Sequence, residues 1–102
     1  MSNNVFVKSG RVSDLLTTAH AAATGDWKFK DAPKAAIQVV ATAAATVVFE
    51  VSNDGTNPIA TTLGTVTLAA AGSDGFTTDA PWKYIRARVT ANSGTVTVTM
   101  SV

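Results

Sequence analysis

Gly94-Thr95-Val96-Thr97-Val98-Thr99-Met100-Ser101-Val102 carries the plainest strand pattern in this chain. Every second residue is apolar, and the residues between them carry hydroxyls. A period of two belongs to a β-strand with one face on a core and the other in water. Val96, Val98, Met100 and Val102 are therefore expected inside, and Thr95, Thr97, Thr99 and Ser101 outside. Val and Thr reinforce the reading, because β-branched side chains suit a pleated surface better than a helix.

Working backwards, Trp82-Lys83-Tyr84-Ile85-Arg86-Ala87-Arg88-Val89-Thr90 alternates in the same way. Ile85, Ala87 and Val89 take one face, with Lys83 on the same parity near the strand start. Trp82, Tyr84, Arg86 and Arg88 take the other. Ala91-Asn92-Ser93-Gly94 reads as a short turn, which predicts an antiparallel hairpin between these two strands. Ala45 to Ser52 gives a further strand with Val47, Phe49 and Val51 inward. It ends at Asn53-Asp54-Gly55, residues that tolerate left-handed backbone angles and so mark a turn. Ala35 to Thr42 is another strand, with Ile37 and Val39 inward and a bend at Ala43-Ala44-Ala45. Leu63 to Ala70 turns Val66 and Leu68 inward, and Ala71-Gly72-Ser73-Asp74-Gly75 reads as a turn. Short strands are also expected over Gly75 to Thr78 and Gly25 to Lys30. Seven or eight short strands with turns every 8–12 residues predict an all-β domain, a sandwich or barrel.

The N-terminal part is less regular. Ser13 suits a helix cap, Leu15, Leu16 and Ala19 share one helical face, and Gly25 suits a helix stop. Thr17, Thr18 and Thr24 oppose a helix. The segment 1–24 is read as an arm or irregular segment, and 25–102 as a single β-sandwich domain.

Composition narrows the function classes. The chain has 102 residues, enough for one domain, and Ala (18), Thr (16) and Val (13) make up nearly half of it. There is no Cys and one His, which excludes a disulfide-stapled scaffold and any Cys-based metal or redox site. Eight basic residues face seven acidic ones, net +1, so the chain is not expected to bind nucleic acid by bulk charge. Met1-Ser2-Asn3-Asn4-Val5 lacks the basic and apolar regions of a secretory signal. The most apolar stretch, Ala35 to Val51, is interrupted by Gln38, Thr42, Thr46 and Glu50 and is too short and polar to span a bilayer. A soluble chain made in a cytoplasm, with no membrane partner, is expected.

The sequence groups no acid, base and nucleophile, so an enzyme is not expected. His20 stands alone, and the seven acids are scattered. Asn53-Asp54-Gly55-Thr56-Asn57 lacks the Glu that would complete a calcium loop and reads as turn chemistry. No Ser sits in a Gly-x-Ser-x-Gly elbow, and Gly64, Gly72 and Gly75 punctuate strands without forming a phosphate loop. No catalytic, cofactor-binding or metal residue is assigned.

The candidate interaction face is Trp82, Tyr84, Arg86 and Arg88. Arg and aromatic residues are enriched at interface centres and also stack on glycans or bases. The alternative places Trp82 at the core rim with both Arg side chains simply solvated. Trp27 and Phe29 alternate on a second short strand and are expected in the core, where large aromatics of a small domain usually sit.

The runs Phe49-Glu50-Val51-Ser52-Asn53-Asp54-Gly55-Thr56-Asn57, Leu63-Gly64-Thr65-Val66-Thr67-Leu68 and Asp74-Gly75-Phe76-Thr77-Thr78-Asp79-Ala80-Pro81-Trp82-Lys83-Tyr84-Ile85-Arg86-Ala87-Arg88-Val89-Thr90 resemble small β-sandwich structural proteins of tailed bacteriophages. Several of these serve as capsid decoration, or cement, proteins. The resemblance covers about residues 26–102. It implies a virion protein on the capsid surface, synthesised in the host cytoplasm, that binds the major capsid protein from outside and stabilises the shell. It implies a homo-oligomer, with a trimer favoured, and no catalytic residues or cofactors. A tail- or fibre-associated protein, or a glycan-binding module, is the alternative. A weaker resemblance to discoidin-type galactose-binding domains rests on Ser52-Asn53-Asp54-Gly55 and Tyr84-Ile85-Arg86; it adds a jelly-roll-like topology. Val5, Phe6, Val7, Lys8 and Arg11 form a candidate interaction arm, placed to add a strand to a neighbour's sheet edge.

Overall fold

Nine antiparallel strands make up the computed structural model of the chain, which describes residues 12–30 and 34–102. They are β1 (Val12–Ala19), β2 (Ala23–Thr24), β3 (Lys28–Phe29), β4 (Ala35–Ala41), β5 (Ala45–Ser52), β6 (Gly64–Leu68), β7 (Gly72–Thr78), β8 (Tyr84–Asn92) and β9 (Thr95–Ser101). The first sheet runs β1-β9-β4-β7. The second runs β2-β8-β5-β6, with β3 also paired to β8. Since β2 and β3 lie along one edge of β8, at Thr24↔Arg88 and Phe29↔Tyr84, they act as one interrupted strand.

Counted that way, the pairs are nested. β5 pairs β6, β4 pairs β7, β2 and β3 pair β8, and β1 pairs β9. The chain is one long hairpin with its apex in the loop 53–63. Rolling it brings β4 against β9 and β5 against β8, which closes the two sheets. This is the jelly-roll arrangement expected for an antiparallel β-sandwich of seven or eight short strands.

The two inner faces carry the core. Val96, Val98 and Met100 of β9 and Ile37 and Val39 of β4 are buried in the first sheet; Val47, Phe49, Val51, Val66, Ile85, Ala87 and Val89 are buried in the second. Each matches the alternation of its strand. Leu68 and Val102 are only partly buried against this cluster. Phe76 reaches in from edge strand β7 and meets Phe49 of the opposite sheet edge-on, with ring centroids 5.3 Å apart.

Three local expectations are corrected. The segment 12–24, read as an arm or irregular, contains β1 and β2. β1 carries a bulge: Asp14 pairs Thr99 and Leu16 pairs Val98, so Leu15 is the extra residue and points into the core. A bulge breaks the period of two and hides the strand from a pattern reading. The candidate arm residues Val5, Phe6, Val7, Lys8 and Arg11 lie outside the described residues.

The second correction concerns β8 and β9, which lie in different sheets and do not form a hairpin. The link between them crosses the sandwich. Ser93 N–H donates to the Ala44 carbonyl, and Thr95 N–H donates to Thr42 Oγ1, so the crossing is tied to the equivalent crossing between β4 and β5. An alternating strand looks the same whichever sheet it joins, and a short link serves either geometry.

The third is Gly72-Ser73-Asp74-Gly75, which is strand and not turn, paired along β4 from Ala41↔Gly72 to Gln38↔Gly75. Glycine is required at position 75, because a Cβ there would run into the Ile37 carbonyl. Tertiary pairing overrides local turn preference here. The polar residues of β7 also blunt an exposed sheet edge.

Candidate interaction face on the second sheet

Burying Ile85, Ala87 and Val89 forces the other parity of β8 outward, so Tyr84, Arg86 and Arg88 line the outer face of the second sheet. The register fixes their neighbours. Phe29 of β3 lies opposite Tyr84, Glu50 of β5 opposite Arg86, and Val48 opposite Arg88. The rings of Phe29 and Tyr84 meet edge-on, with centroids 5.6 Å apart at 71°. The Arg86 guanidinium sits 4.5 Å from the centre of the Trp27 ring, a cation–π contact. Arg86 Nε also donates to Glu50 Oε1 at 2.7 Å. Arg88 Nε stands 3.4 Å from Glu50 Oε2 as an ion pair, and makes no hydrogen bond among the described residues.

One carboxylate thus serves two guanidiniums. Glu50 is largely covered, with 13% of its side chain exposed, while Arg88 remains 40% exposed. Beside Arg88 lies a shallow recess of about 380 Å³ lined by Ala22, Ala23, Thr24, Arg88, Val89 and Thr90. Thr90 is the extra residue of a second bulge, where Thr46 pairs Ala91 and Val47 pairs Val89. At the other end of the strip Phe29 is 58% exposed, a large apolar side chain left in solvent.

The structure brings Tyr84, Arg86 and Arg88 together as expected but separates Trp82 from them. Trp82 precedes β8 and packs, partly buried, against the core. Its alternation with Tyr84 does not extend the strand, because residues 79–83 lie between β7 and β8. Trp27 and Phe29 are the reverse case. They were expected inside, and they cover the outer face instead. β3 is a two-residue edge strand, and its register with β8 sets Phe29 outward beside Tyr84. Sequence reasoning missed Glu50. Its signal was present, as a lone acid on the outward parity between buried Phe49 and Val51.

The turn after β5 is built by its own side chains. Asp54 Oδ1 accepts from the N–H groups of Thr56 and Asn57, and Oδ2 accepts from Asn57 Nδ2, each at 2.9 Å. These hydrogen bonds, led by those from Asn57, hold the Asp54 carboxyl at a pKa of about 2. Gly55 follows at φ 69°, and its N–H donates to Ser52 Oγ. Both Asp54 oxygens are engaged within the loop, as a turn requires. Lys30 is 3% exposed and its Nζ donates to the Ala80 carbonyl at 2.7 Å. Burial, aided by Lys83 and opposed by Asp79, pulls its pKa below the usual lysine value. Among the described residues no three His, Asp or Glu side chains gather as metal ligands would, and no helix is long and apolar enough to cross a membrane.

No family model matches the chain, and no curated protein does. Among solved structures, the SPBc2 prophage-derived protein YomS superposes with a TM-score of 0.73 at 11% identity, covering 91% of each chain. A chain from Bacillus endospore appendages, described as a novel family of disulfide-linked pili, aligns with a TM-score of 0.46 at 20% identity, covering 90% of this chain and 82% of that one. The chain is therefore an antiparallel β-sandwich with the fold of a prophage-derived protein.

Proposed function

We propose that the chain is a structural protein of a tailed-phage particle, and specifically a decoration protein that binds the outside of the capsid shell and stabilises it. The observation that carries this reading is the end-to-end likeness of its backbone to a prophage-derived protein, 91% of both chains. The sequence runs from Phe49 to Asn57 and Asp74 to Thr90 point the same way through their resemblance to phage sandwich proteins. The physical logic is linkage. A small domain that binds only the assembled shell stabilises that shell by mass action, and many copies make a modest interface sufficient. The partner in this reading is the major capsid protein, and the copies associate with one another, a trimer being favoured.

A glycan-binding module has less support. Its leading ring, Trp82, packs against the core, and Arg86 covers one face of Trp27, which leaves Phe29 as the exposed ring without a second tryptophan beside it. The test is the copy number of the protein in purified particles, measured by quantitative mass spectrometry against the major capsid protein. A ratio near one to one, or a simple fraction of it, is expected. A handful of copies would indicate tail or fibre, and absence from particles would overturn the reading.

A further inference from the structure

We infer that the outer face of the second sheet is a two-point docking site for a protein segment that presents a carboxylate to Arg88 and an apolar side chain to Phe29 and Tyr84. The inference rests on the structural-protein reading only for the identity of the partner; the site itself is argued from its chemistry. The first point is charge. Two guanidiniums share Glu50, and Arg86 holds its hydrogen bond. Arg88 keeps only an ion pair, its buried Nε lying 3.4 Å from Glu50 Oε2 without a hydrogen bond among the described residues, and with 40% of the side chain exposed beside a recess it is the rest of the guanidinium that faces a partner. Thr24 lines the same recess and adds a hydroxyl donor, while the Thr90 hydroxyl beside it is turned to the Thr46 carbonyl. A planar fork of donors with surplus positive charge suits a carboxylate.

The second point is the exposed Phe29 ring, edge-on to Tyr84, at the far end of the strip. Tyr84 and Arg88 are four residues apart on one strand, a separation of about 13 Å at the rise of a β-strand. An extended segment with an apolar residue and an acid four positions apart spans the same length. A polyanion fits poorly, because its regularly repeated charges would have to pass over Glu50 and the apolar Phe29–Tyr84 end, whereas a single carboxylate has only to reach Arg88. The partner chemistry is therefore a protein bearing isolated acids among apolar residues.

The test uses the ¹⁵N-labelled chain and two peptides, acetyl-Phe-Ser-Thr-Ser-Glu-amide and its Gln counterpart. Amide and arginine Nε–H shifts are followed by NMR. The Glu peptide is expected to move Thr24, Arg88 and Thr90 together with Phe29 and Tyr84, and to bind about fivefold tighter than the Gln peptide, the scale of one exposed charge pair. Arg88→Gln should abolish that discrimination. Phe29→Ser should weaken both peptides equally. Because each variant is read against the folded spectrum, loss of fold is seen directly. Equal binding of the two peptides, or shifts centred elsewhere, would overturn the inference. Neither result depends on the particle count above, so the two readings fail separately.

Discussion

Replacing Glu50 by Gln keeps the shape of the outer strip and removes its negative charge. In the native chain this carboxylate is 13% exposed, accepts from Arg86 Nε at 2.7 Å and lies 3.4 Å from Arg88 Nε. Unit charges about 4 Å apart interact by about 1 kcal/mol in water and about 4 kcal/mol at the effective dielectric of a partly covered site. Arg86 is 22% exposed and accounts for most of the interaction, while the contribution of Arg88, at 40% exposure, is screened to about 0.5 kcal/mol. Glu50→Gln also leaves two guanidiniums facing each other without a counter-charge. Against these terms stands the cost of desolvating the largely covered carboxylate, which a neutral Gln does not bear, so the net loss is about 2 kcal/mol, or a drop of about 10 °C in Tm for a domain of this size.

Thermal unfolding followed by circular dichroism at two salt concentrations separates this account from a general packing defect. Salt screens attraction in the native chain and repulsion in the variant. Raising salt should therefore lower Tm in the native chain relative to its salt response elsewhere, and raise it in Glu50→Gln. Adding Arg88→Gln to the variant removes the repulsion and should recover about 1 kcal/mol, a coupling that independent sites would not show. A loss under about 0.5 kcal/mol, the range of ordinary surface pairs, would show that Glu50 is no shared counter-charge. So would salt responses of the same sign, or no recovery in the double variant.

Three further outcomes are expected. Gly75→Ala should destabilise by about 1–3 kcal/mol, because the new methyl meets the Ile37 backbone carbonyl, which has no rotamer by which to move aside; denaturant unfolding measures it, and an unchanged midpoint would show that β7 shifts freely. Phe49→Ala, at a side chain wholly buried against Phe76, should cost about 3–5 kcal/mol, a large share of the roughly 5–15 kcal/mol typical of a domain, and Phe49→Leu distinctly less. Asp54 has a folded pKa of about 2 against an ordinary value of 3.8, so its stabilising effect is complete above pH 4 and is lost as pH falls through that window; Asp54→Ala should flatten stability between pH 4 and 2, and an unchanged profile would remove the loop network from the account.

How far the fold was legible follows from which signal each element used. Strands β4, β5, β8 and β9 bury alternate residues against a well-filled interior, so hydrophobic period alone set Ile37, Phe49, Ile85 and Val98 inward. Edge elements depend on a partner. Leu15 enters the core through a bulge, and Asp74 joins a strand because β4 offers it a register. Neither dependence leaves a local trace. The same holds at the candidate site. The outward turn of Tyr84, Arg86 and Arg88 was visible in one strand, but the assignment of Trp27 and Phe29 needed the pairing of β3 with β8, 55 residues away at Phe29↔Tyr84.

The roll itself explains why the aromatic strip stands on one side only. Its nested pairs send the outer parity of β3, β8 and β5 to the second sheet, which collects Trp27, Phe29, Tyr84, Arg86, Arg88 and Glu50. The outer parity of β9 and β4 goes to the first sheet, where Thr95, Thr97 and Thr99 lie among Ala36, Gln38 and Val40. One face therefore has rings, forked donors and an uneven charge; the other has Thr, Ala, Gln38 and Val40 along β9 and β4, with the lone acid Asp14 of β1 opposite Thr99. The rings and forked donors that the proposed docking requires are thus gathered on the second sheet. The first sheet supplies the control for the docking site, since Val40→Ser there should leave peptide binding at Arg88 and Phe29 unchanged.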